Sequence, residues 1–405
     1  MHLPSLKFDF FLLVIIFFIT TYISIGLGVI FFISIVLFRK QITLPYFFYI
    51  IYLFALIAFT QYSTYKQGDY DIIRYYATYS IFSELNFTQV LPFFIKQGDV
   101  FFYFIVFLLT RIFPNDPRML SFFFVIATSV FNLLAARNVG FLINNKPSSY
   151  YTKKQLLFWF ISFFLIISFP LFTNIFRQFF AMSLLFYGFS RKSLGKSYWL
   201  FIILAILSHW SMLIYVLLFL FLYKFRDREE IILAFAPLLS ILFNFILPLI
   251  PFFKDKIQAY AMGEEILGVD KTLIAIVIFI QLALYVYLRS LKKIFKDWYL
   301  LLLIMLVFSC IFIFNSTIIT RHYYFLSAYI AVLFTFSTSV SMVRNTLQNK
   351  LRKNILILLI ILPLSTYIVW QMRVSSFKYD FFSENLLTTS GMSILTSNFP
   401  FEMIK

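Results

Sequence analysis

Charged residues are scarce in this chain of 405 residues: they make up 13% of it, whereas 62% of the residues are hydrophobic. A soluble domain carries roughly 25% charged and about 45–50% apolar residues. The shortage of charge therefore excludes a soluble cytosolic enzyme, a secreted disulfide scaffold and a disordered protein. What remains is a polytopic integral membrane protein.

Cysteine and histidine are also rare. The single cysteine, Cys310, allows no disulfide within the chain. The three histidines, His2, His209 and His322, are too far apart in sequence to match the spacing of a metal site. No Walker loop, dinucleotide fingerprint or serine-nucleophile elbow is present. The sequence therefore predicts no metal and no bound cofactor.

Long apolar runs dominate the chain, and a membrane-spanning helix needs about 20 mostly apolar residues. The candidate spans are residues 8–38, 44–62, 119–139, 156–172, 176–190, 198–223, 231–250, 272–288, 298–314, 322–342 and 354–372. They do not alternate as β-barrel strands do. The predicted fold class is all-α, a single polytopic membrane domain over residues 1–405 with about 11–13 transmembrane helices, some broken or re-entrant.

The net charge of +17 does not indicate nucleic acid, because Lys and Arg form short clusters between the apolar runs, as they do in cytoplasmic membrane loops. The clusters lie at Arg39–Lys40, Lys146–Lys154, Arg191–Lys196, Lys224–Arg228, Arg289–Lys296 and Arg344–Lys353. If all of them are cytoplasmic, most acidic residues lie on the outer side. This arrangement predicts the orientation, although residues 8–38 leave the side of the N-terminus open.

The predicted outer face has four parts: a large segment over 63–118, a short turn over 173–177, a loop over 251–271 and a C-terminal tail over 373–405. Within the first, residues 100–113 form an apolar run of about 14 residues, a length typical of a re-entrant or interfacial segment. Residues 198–223 have basic clusters at both ends. They are predicted as two short helices that meet near residues 208–210, with one long helix as the alternative.

The first outer segment contains acidic, basic and aromatic residues at helical spacing. Asp71, Arg74 and Tyr75 stand at i, i+3 and i+4 and share one helical face. Carboxylates accept hydrogen bonds from sugar hydroxyls and aromatic rings stack on a pyranose, so this face is predicted to bind a sugar. Asp99, at the start of the run 100–113, is a second acid close to the membrane. The alternative is an interfacial aromatic belt with an ordinary ion pair.

Arg177 lies between two apolar runs at the predicted outer edge of the membrane. An arginine there needs an anionic partner, and the planar guanidinium binds phosphate with two parallel hydrogen bonds. Arg321 and His322 begin another helix on the same side, and the same reasoning applies to them. The alternatives are an arginine that reaches a lipid headgroup and a juxtamembrane anchor.

His209 lies at the predicted bend of 198–223, between Ser208 and Trp210. A polar side chain in a membrane interior is a hypothesis of function, and histidine can act as a general base near neutral pH. The alternative is a hydrogen bond between two helices.

The order of these motifs resembles the Wzy and EpsG-like polymerases, which join lipid-linked oligosaccharide repeat units of bacterial O-antigen or capsule. The resemblance rests on Asp71-x-x-Arg74-Tyr75-Tyr76, on Asp99 before a short apolar run, on Ile175-Phe176-Arg177-Gln178-x-x-Ala181 and on His209-x-Ser211. Its strongest part is residues 174–213. The family often has a Gly-x-Asp pattern, but Gly68 and Asp69 are adjacent here, so either Asp69 or Asp71 could correspond. Relatives often have a Glu-Pro pair at the position of Asp99.

The resemblance implies a glycosyltransferase of the bacterial cytoplasmic (inner) membrane that uses no nucleotide sugar and no metal. A hydroxyl of one undecaprenyl-pyrophosphate-linked unit attacks the anomeric carbon of the growing chain, and undecaprenyl pyrophosphate leaves. The predicted catalytic residues are Asp69, Asp71, Asp99 and His209, and the predicted substrate-binding residues are Arg74, Tyr75, Arg177, Gln178, Arg321 and His322. The implied partners are this lipid-linked substrate, the lipid bilayer, and a chain-length regulator and flippase of the same pathway.

Two other classes of protein stay open. A flippase for the same lipid-linked sugars is a transporter and would show internal pseudo-symmetry, which this sequence lacks. A polysaccharide O-acyltransferase would have a catalytic histidine near the cytoplasmic face, whereas His209 is predicted on the opposite side.

Overall fold

The computed structural model describes residues 15–17, 19–38, 42–60, 71–114, 116–144, 151–161, 175–241, 249, 271–289, 291–312 and 316–335. Throughout these residues the fold is helical; their one backbone bridge outside helices joins Ile42 to Tyr151. The predicted all-α class is confirmed. Asp69, the predicted span 354–372, the predicted loop up to residue 270 and the predicted tail 373–405 lie outside the described residues.

Most of the helices lie in the predicted apolar runs, and two more, Asp71–Glu84 and Phe87–Gln97, lie within the predicted outer segment 63–118. They are α1 (Ile25–Phe38), α2 (Leu44–Thr60), α3 (Asp71–Glu84), α4 (Phe87–Gln97), α5 (Val100–Ile112), α6 (Arg118–Asn144), α7 (Lys153–Ile161), α8 (Phe176–Ser193), α9 (Trp199–Ser208), α10 (Ser211–Tyr223), α11 (Glu229–Ile241), α12 (Lys271–Arg289), α13 (Lys296–Ile311) and α14 (Ser316–Thr335). A helix satisfies its backbone polar groups internally, which is why a sequence this apolar forms helices.

The helices differ in whether they are long enough to cross a bilayer. Within the described part of the chain, the helical stretch Arg118–Leu142 has the length and apolar composition to cross a bilayer, and several other apolar helices have 10–17 residues. Helix α5 has 13 residues, about 20 Å, which is shorter than a hydrocarbon core of about 30 Å. The run 198–223 is interrupted at His209 and Trp210, so the predicted pair of short helices is present.

Helices α8 and α13 form the centre of the core, since most residues of both are buried. Gly188 of α8 allows α9 to approach closely: a Cβ at Gly188 would lie 3.1 Å from Cγ1 of Ile202. Aromatic rings fill much of the space between helices; Tyr215 of α10, for example, stacks on Phe325 with ring centroids 4.1 Å apart. Helices that are apolar on all faces are buried in this way.

One end of the helix bundle, which we call the basic end, gathers the basic clusters of the described residues. Three ion pairs connect them: Lys192–Asp297 at 2.9 Å, Lys296–Asp227 at 2.9 Å and Arg289–Glu229 at 3.0 Å. The hydrogen bond from Lys296 holds the pKa of the Asp227 carboxyl below its usual range.

Lys153 of the second cluster and the end of α6 make further contacts in this region. Lys153 donates to the Leu37 carbonyl at 2.5 Å, and Asn138 near the end of α6 donates to Ser190 near the end of α8 at 3.0 Å. Clusters that are distant in sequence therefore share one end of the bundle.

Candidate functional site

At the other end of α8 lies an ion pair between Asp99 and Arg177. Helix α4 ends at Gly98, whose φ of 75° is a left-handed conformation that glycine adopts at low cost, and Asp99 directly precedes α5. The Asp99 side chain is buried. Its Oδ2 accepts a 2.6 Å hydrogen bond from Nη1 of Arg177, and its Oδ1 accepts one of 3.0 Å from the backbone N–H of Trp210.

Arg177 uses only part of its guanidinium in these contacts. Nη1 also donates to the Tyr103 hydroxyl at 3.3 Å, and Cζ lies 6.0 Å from the centre of the Tyr75 ring. Nε is buried and has no hydrogen-bond partner among the described residues. The side chain is 22% exposed. Arg177, Asp99, Tyr75, Tyr103 and the N–H of Trp210 are called the Arg177 cluster below.

Three helices begin at this cluster. Asp99 precedes α5, Arg177 is the second residue of α8 and Trp210 precedes α10. The first N–H groups of a helix have no partner within it, and the helix dipole adds partial positive charge there. Together with the guanidinium, these ends make a site for an anion, which Asp99 occupies in part.

Asp71 is the more accessible acid near the cluster. It begins α3, its side chain is 29% exposed, and it pairs with Arg74 at 3.8 Å. Arg74 is 64% exposed, whereas Tyr75 is buried against Phe102. The charges of Arg177, Asp71 and Arg321 all act on the Tyr75 hydroxyl. The structure thus brings Asp71 and Arg321 to the surroundings of the Arg177 cluster.

Gln178 connects this region to α14. Its side chain is buried, its Nε2 donates to the backbone carbonyl of Arg321 at 3.0 Å, and its Oε1 has no hydrogen-bond partner within the described residues. Gln178 therefore fixes the backbone of Arg321 next to the start of α8.

A family model described as the EpsG family matches residues 46–383, most of the chain. The chain belongs to the EpsG family. This confirms the resemblance to EpsG-like proteins, a family related to the Wzy-like polymerases. Together with the apolar helices, the membership indicates a membrane protein of polysaccharide biosynthesis. Searches of curated proteins and of solved structures found no match.

In this EpsG-family chain, His322 lies beside Arg321 in sequence, but its side chain contacts α10 and α12. Its Nδ1 is hydrogen-bonded to the Tyr215 hydroxyl at 2.7 Å, and its Nε2 to Nε2 of Gln281 at 2.7 Å. The ring is 1% exposed and stacks on Phe308. These contacts favour a role in holding α10, α12 and α14 together, and substrate binding by His322 stays a prediction.

His209 is buried at the break between α9 and α10. Its Nδ1 accepts a 3.3 Å hydrogen bond from the Ser211 N–H and lies 3.1 Å from the Ser211 hydroxyl. In this arrangement His209 shapes the turn that directs the Trp210 N–H at Asp99, and a catalytic role of His209 stays a prediction.

Two members of the Arg177 cluster were not among the predicted residues. Tyr103 stands four residues after Asp99, a spacing that puts both on one helical face, so a signal for it was present in the sequence. The Trp210 N–H has no such signal, because any residue at that position has the same donor. Among the described residues, no group of three His, Cys, Asp or Glu side chains could hold a metal ion.

Proposed function

We propose that this EpsG-family protein is a polymerase that joins oligosaccharide repeat units carried on undecaprenyl pyrophosphate, at the membrane face opposite the basic end. One observation supports this proposal above others. A buried arginine nitrogen that has no hydrogen-bond partner among the described residues lies where three helices begin, and Asp99 holds the same guanidinium in place. A lipid-linked diphosphate is the anion that such a membrane enzyme must bind and release.

In the proposed reaction, a hydroxyl oxygen of the acceptor sugar forms a bond to the anomeric carbon of the donor. The bond from that carbon to the diphosphate oxygen breaks, and the diphosphate leaves with the electron pair. Negative charge therefore grows on the diphosphate. The Nε edge of Arg177 and the nearby helix ends stabilise that charge, and they require little reorganisation because Asp99 has already oriented the guanidinium.

The proton of the attacking hydroxyl also needs an acceptor. Asp71 fits this role better than Asp99, because the carboxylate of Asp99 is buried and bound by Arg177 and Trp210, whereas that of Asp71 is partly exposed. A carboxylate that already accepts two strong hydrogen bonds is a weaker base. Asp99 is thus proposed as a positioning residue and Asp71 as the proton acceptor.

Deletion of the gene in its host tests the proposed activity. We expect surface polysaccharide to stop at a single repeat unit on a gel, and a plasmid copy of the wild-type chain to restore long chains. Complete absence of polysaccharide would contradict the polymerase and point to a flippase or an earlier step. The pathway's flippase and a chain-length regulator are proposed partners of the same reaction sequence.

The proposed orientation predicts opposite labelling of two cysteines in a Cys310→Ser background. Thr88, at the start of α4, and Ser197, at the basic end, are both exposed. In intact spheroplasts a membrane-impermeant maleimide should label Thr88→Cys and leave Ser197→Cys unlabelled until the membrane is permeabilised. The reverse pattern would invert the topology and place the Arg177 cluster in the cytoplasmic half.

A further inference from the structure

A crevice between α8, α9 and α10 lies near the basic end, at the opposite end of α8 from the Arg177 cluster. Its volume is about 450 Å³, including space open to the surroundings. It is lined by Phe189, Lys192, Tyr198, Trp199, Ile202, Val216, Phe219, Leu220 and Tyr223. All but one of these side chains are apolar or aromatic, so the interior of the crevice suits a hydrocarbon chain.

The mouth of the crevice is apolar as well. Trp199 and Leu220 are 46% and 48% exposed, and the exposed neighbours Ile203 and Leu217 continue the same surface along α9 and α10. Tyr198 stacks on Trp199 with ring centroids 4.9 Å apart. In a membrane protein, such a face meets acyl chains, and aromatic residues of this kind lie at headgroup level.

The rim of the crevice carries positive charge. Nζ of Lys192 lies 4.2 Å from the centre of the Tyr223 ring, but Asp297 balances its charge. Arg226 covers the same ring, with Cζ 4.2 Å from its centre, and its Nε pairs with the exposed Asp227 at 3.8 Å. Lys196, in the turn between α8 and α9, and Lys224, directly after α10, are exposed. Asp297 and Asp227 balance Lys192 and Arg226, and Lys196 and Lys224 leave the rim with more positive than negative charge beside an apolar interior.

We propose that this crevice binds an anionic phospholipid, with an acyl chain between α9 and α10 and the phosphate at the rim formed by Lys196, Lys224 and Arg226. Basic pockets between helices that open to the bilayer bind anionic headgroups, and each Lys or Arg near the surface contributes about 1 kcal/mol, or about fivefold in affinity. A zwitterionic lipid has the same acyl chains without the net charge, so it is bound more weakly. The proposal does not depend on the proposed polymerase activity.

Native mass spectrometry of the full chain in detergent tests this site, with phosphatidylglycerol and phosphatidylcholine as the probes. We expect one retained phosphatidylglycerol per chain and much less phosphatidylcholine. The triple variant Lys196→Gln, Lys224→Gln and Arg226→Gln should weaken phosphatidylglycerol binding about a hundredfold. The control variant Lys154→Gln, Lys292→Gln and Lys293→Gln removes the same charge from the same end, outside the crevice, and should bind as the wild type does.

A second variant tests the contribution of the crevice to lipid binding separately from that of its charged rim. Leu220→Trp leaves every charge in place and narrows the mouth at a side chain that is already half exposed, so the fold should tolerate it. It should also lower phosphatidylglycerol retention. Equal loss in both triple variants would mean general attraction to a positive surface, and normal retention by Leu220→Trp would mean that only the headgroup is bound. Either result, or equal retention of the two lipids by the wild type, would overturn the proposal.

Discussion

Replacement of Arg177 by Ala should abolish long polymer while protein level and the transfer of single repeat units stay at wild-type values. The variant loses the charged hydrogen bonds that we propose at the leaving diphosphate. Each is worth about 1.5–3 kcal/mol, so two of them correspond to a rate loss of about a hundredfold or more. Gels of surface polysaccharide, with immunoblots to match expression, measure the effect.

Arg177→Lys sharpens this test. A lysine ammonium can still pair with Asp99, but it has no second edge for the diphosphate, so the variant should also be markedly impaired. Lys96→Ala is the control, because Lys96 is an exposed basic residue in the last turn of α4, outside the Arg177 cluster. Full-length polymer from Arg177→Ala would refute diphosphate binding at this site. Normal activity of Arg177→Lys would mean that Arg177 only pairs with Asp99 and that its second edge does not bind the diphosphate.

Asp71→Asn should shorten the polysaccharide chains strongly, whereas Glu84→Gln should not. Both changes remove one carboxylate from the same helix, since Asp71 begins α3 and Glu84 ends it. Only Asp71 lies close enough to Arg177 and Tyr75 for its charge to act on them. The loss of one charged hydrogen bond to the acceptor sugar corresponds to about ten- to a hundredfold in rate. Chain-length distributions at matched expression measure this contrast.

The size of the effect and its pH dependence also distinguish two roles of Asp71. If Asp71 accepts the proton, the asparagine variant should lose more than a hundredfold, and raising the pH should not restore activity, because the amide does not ionise. If Asp71 only binds the acceptor sugar, the loss of rate in the asparagine variant should stay at about ten- to a hundredfold. Wild-type chain lengths from Asp71→Asn would leave the α3 face as an interfacial aromatic belt.

Sequence alone was enough to predict the helical class, the positions of most helices and the break near residues 208–210. Hydropathy is a local property, and in lipid each backbone polar group must be satisfied within its own segment, so an apolar run of this length forms a helix whatever its neighbours are. Arg177 and Asp99 were candidates for a similar reason. A charge beside an apolar run needs a partner, and that need can be read without knowing the fold.

Only the tertiary structure decided which partner each candidate has. Asp99 and Arg177 are 78 residues apart, yet they share a hydrogen bond. His322 directly follows Arg321, but it lies between Tyr215 and Gln281. Neighbours on a helix differ by about 100° in direction, and the packing of whole helices determines what each direction meets. Sequence spacing therefore identified residues that need partners, and the crossing of distant helices supplied those partners.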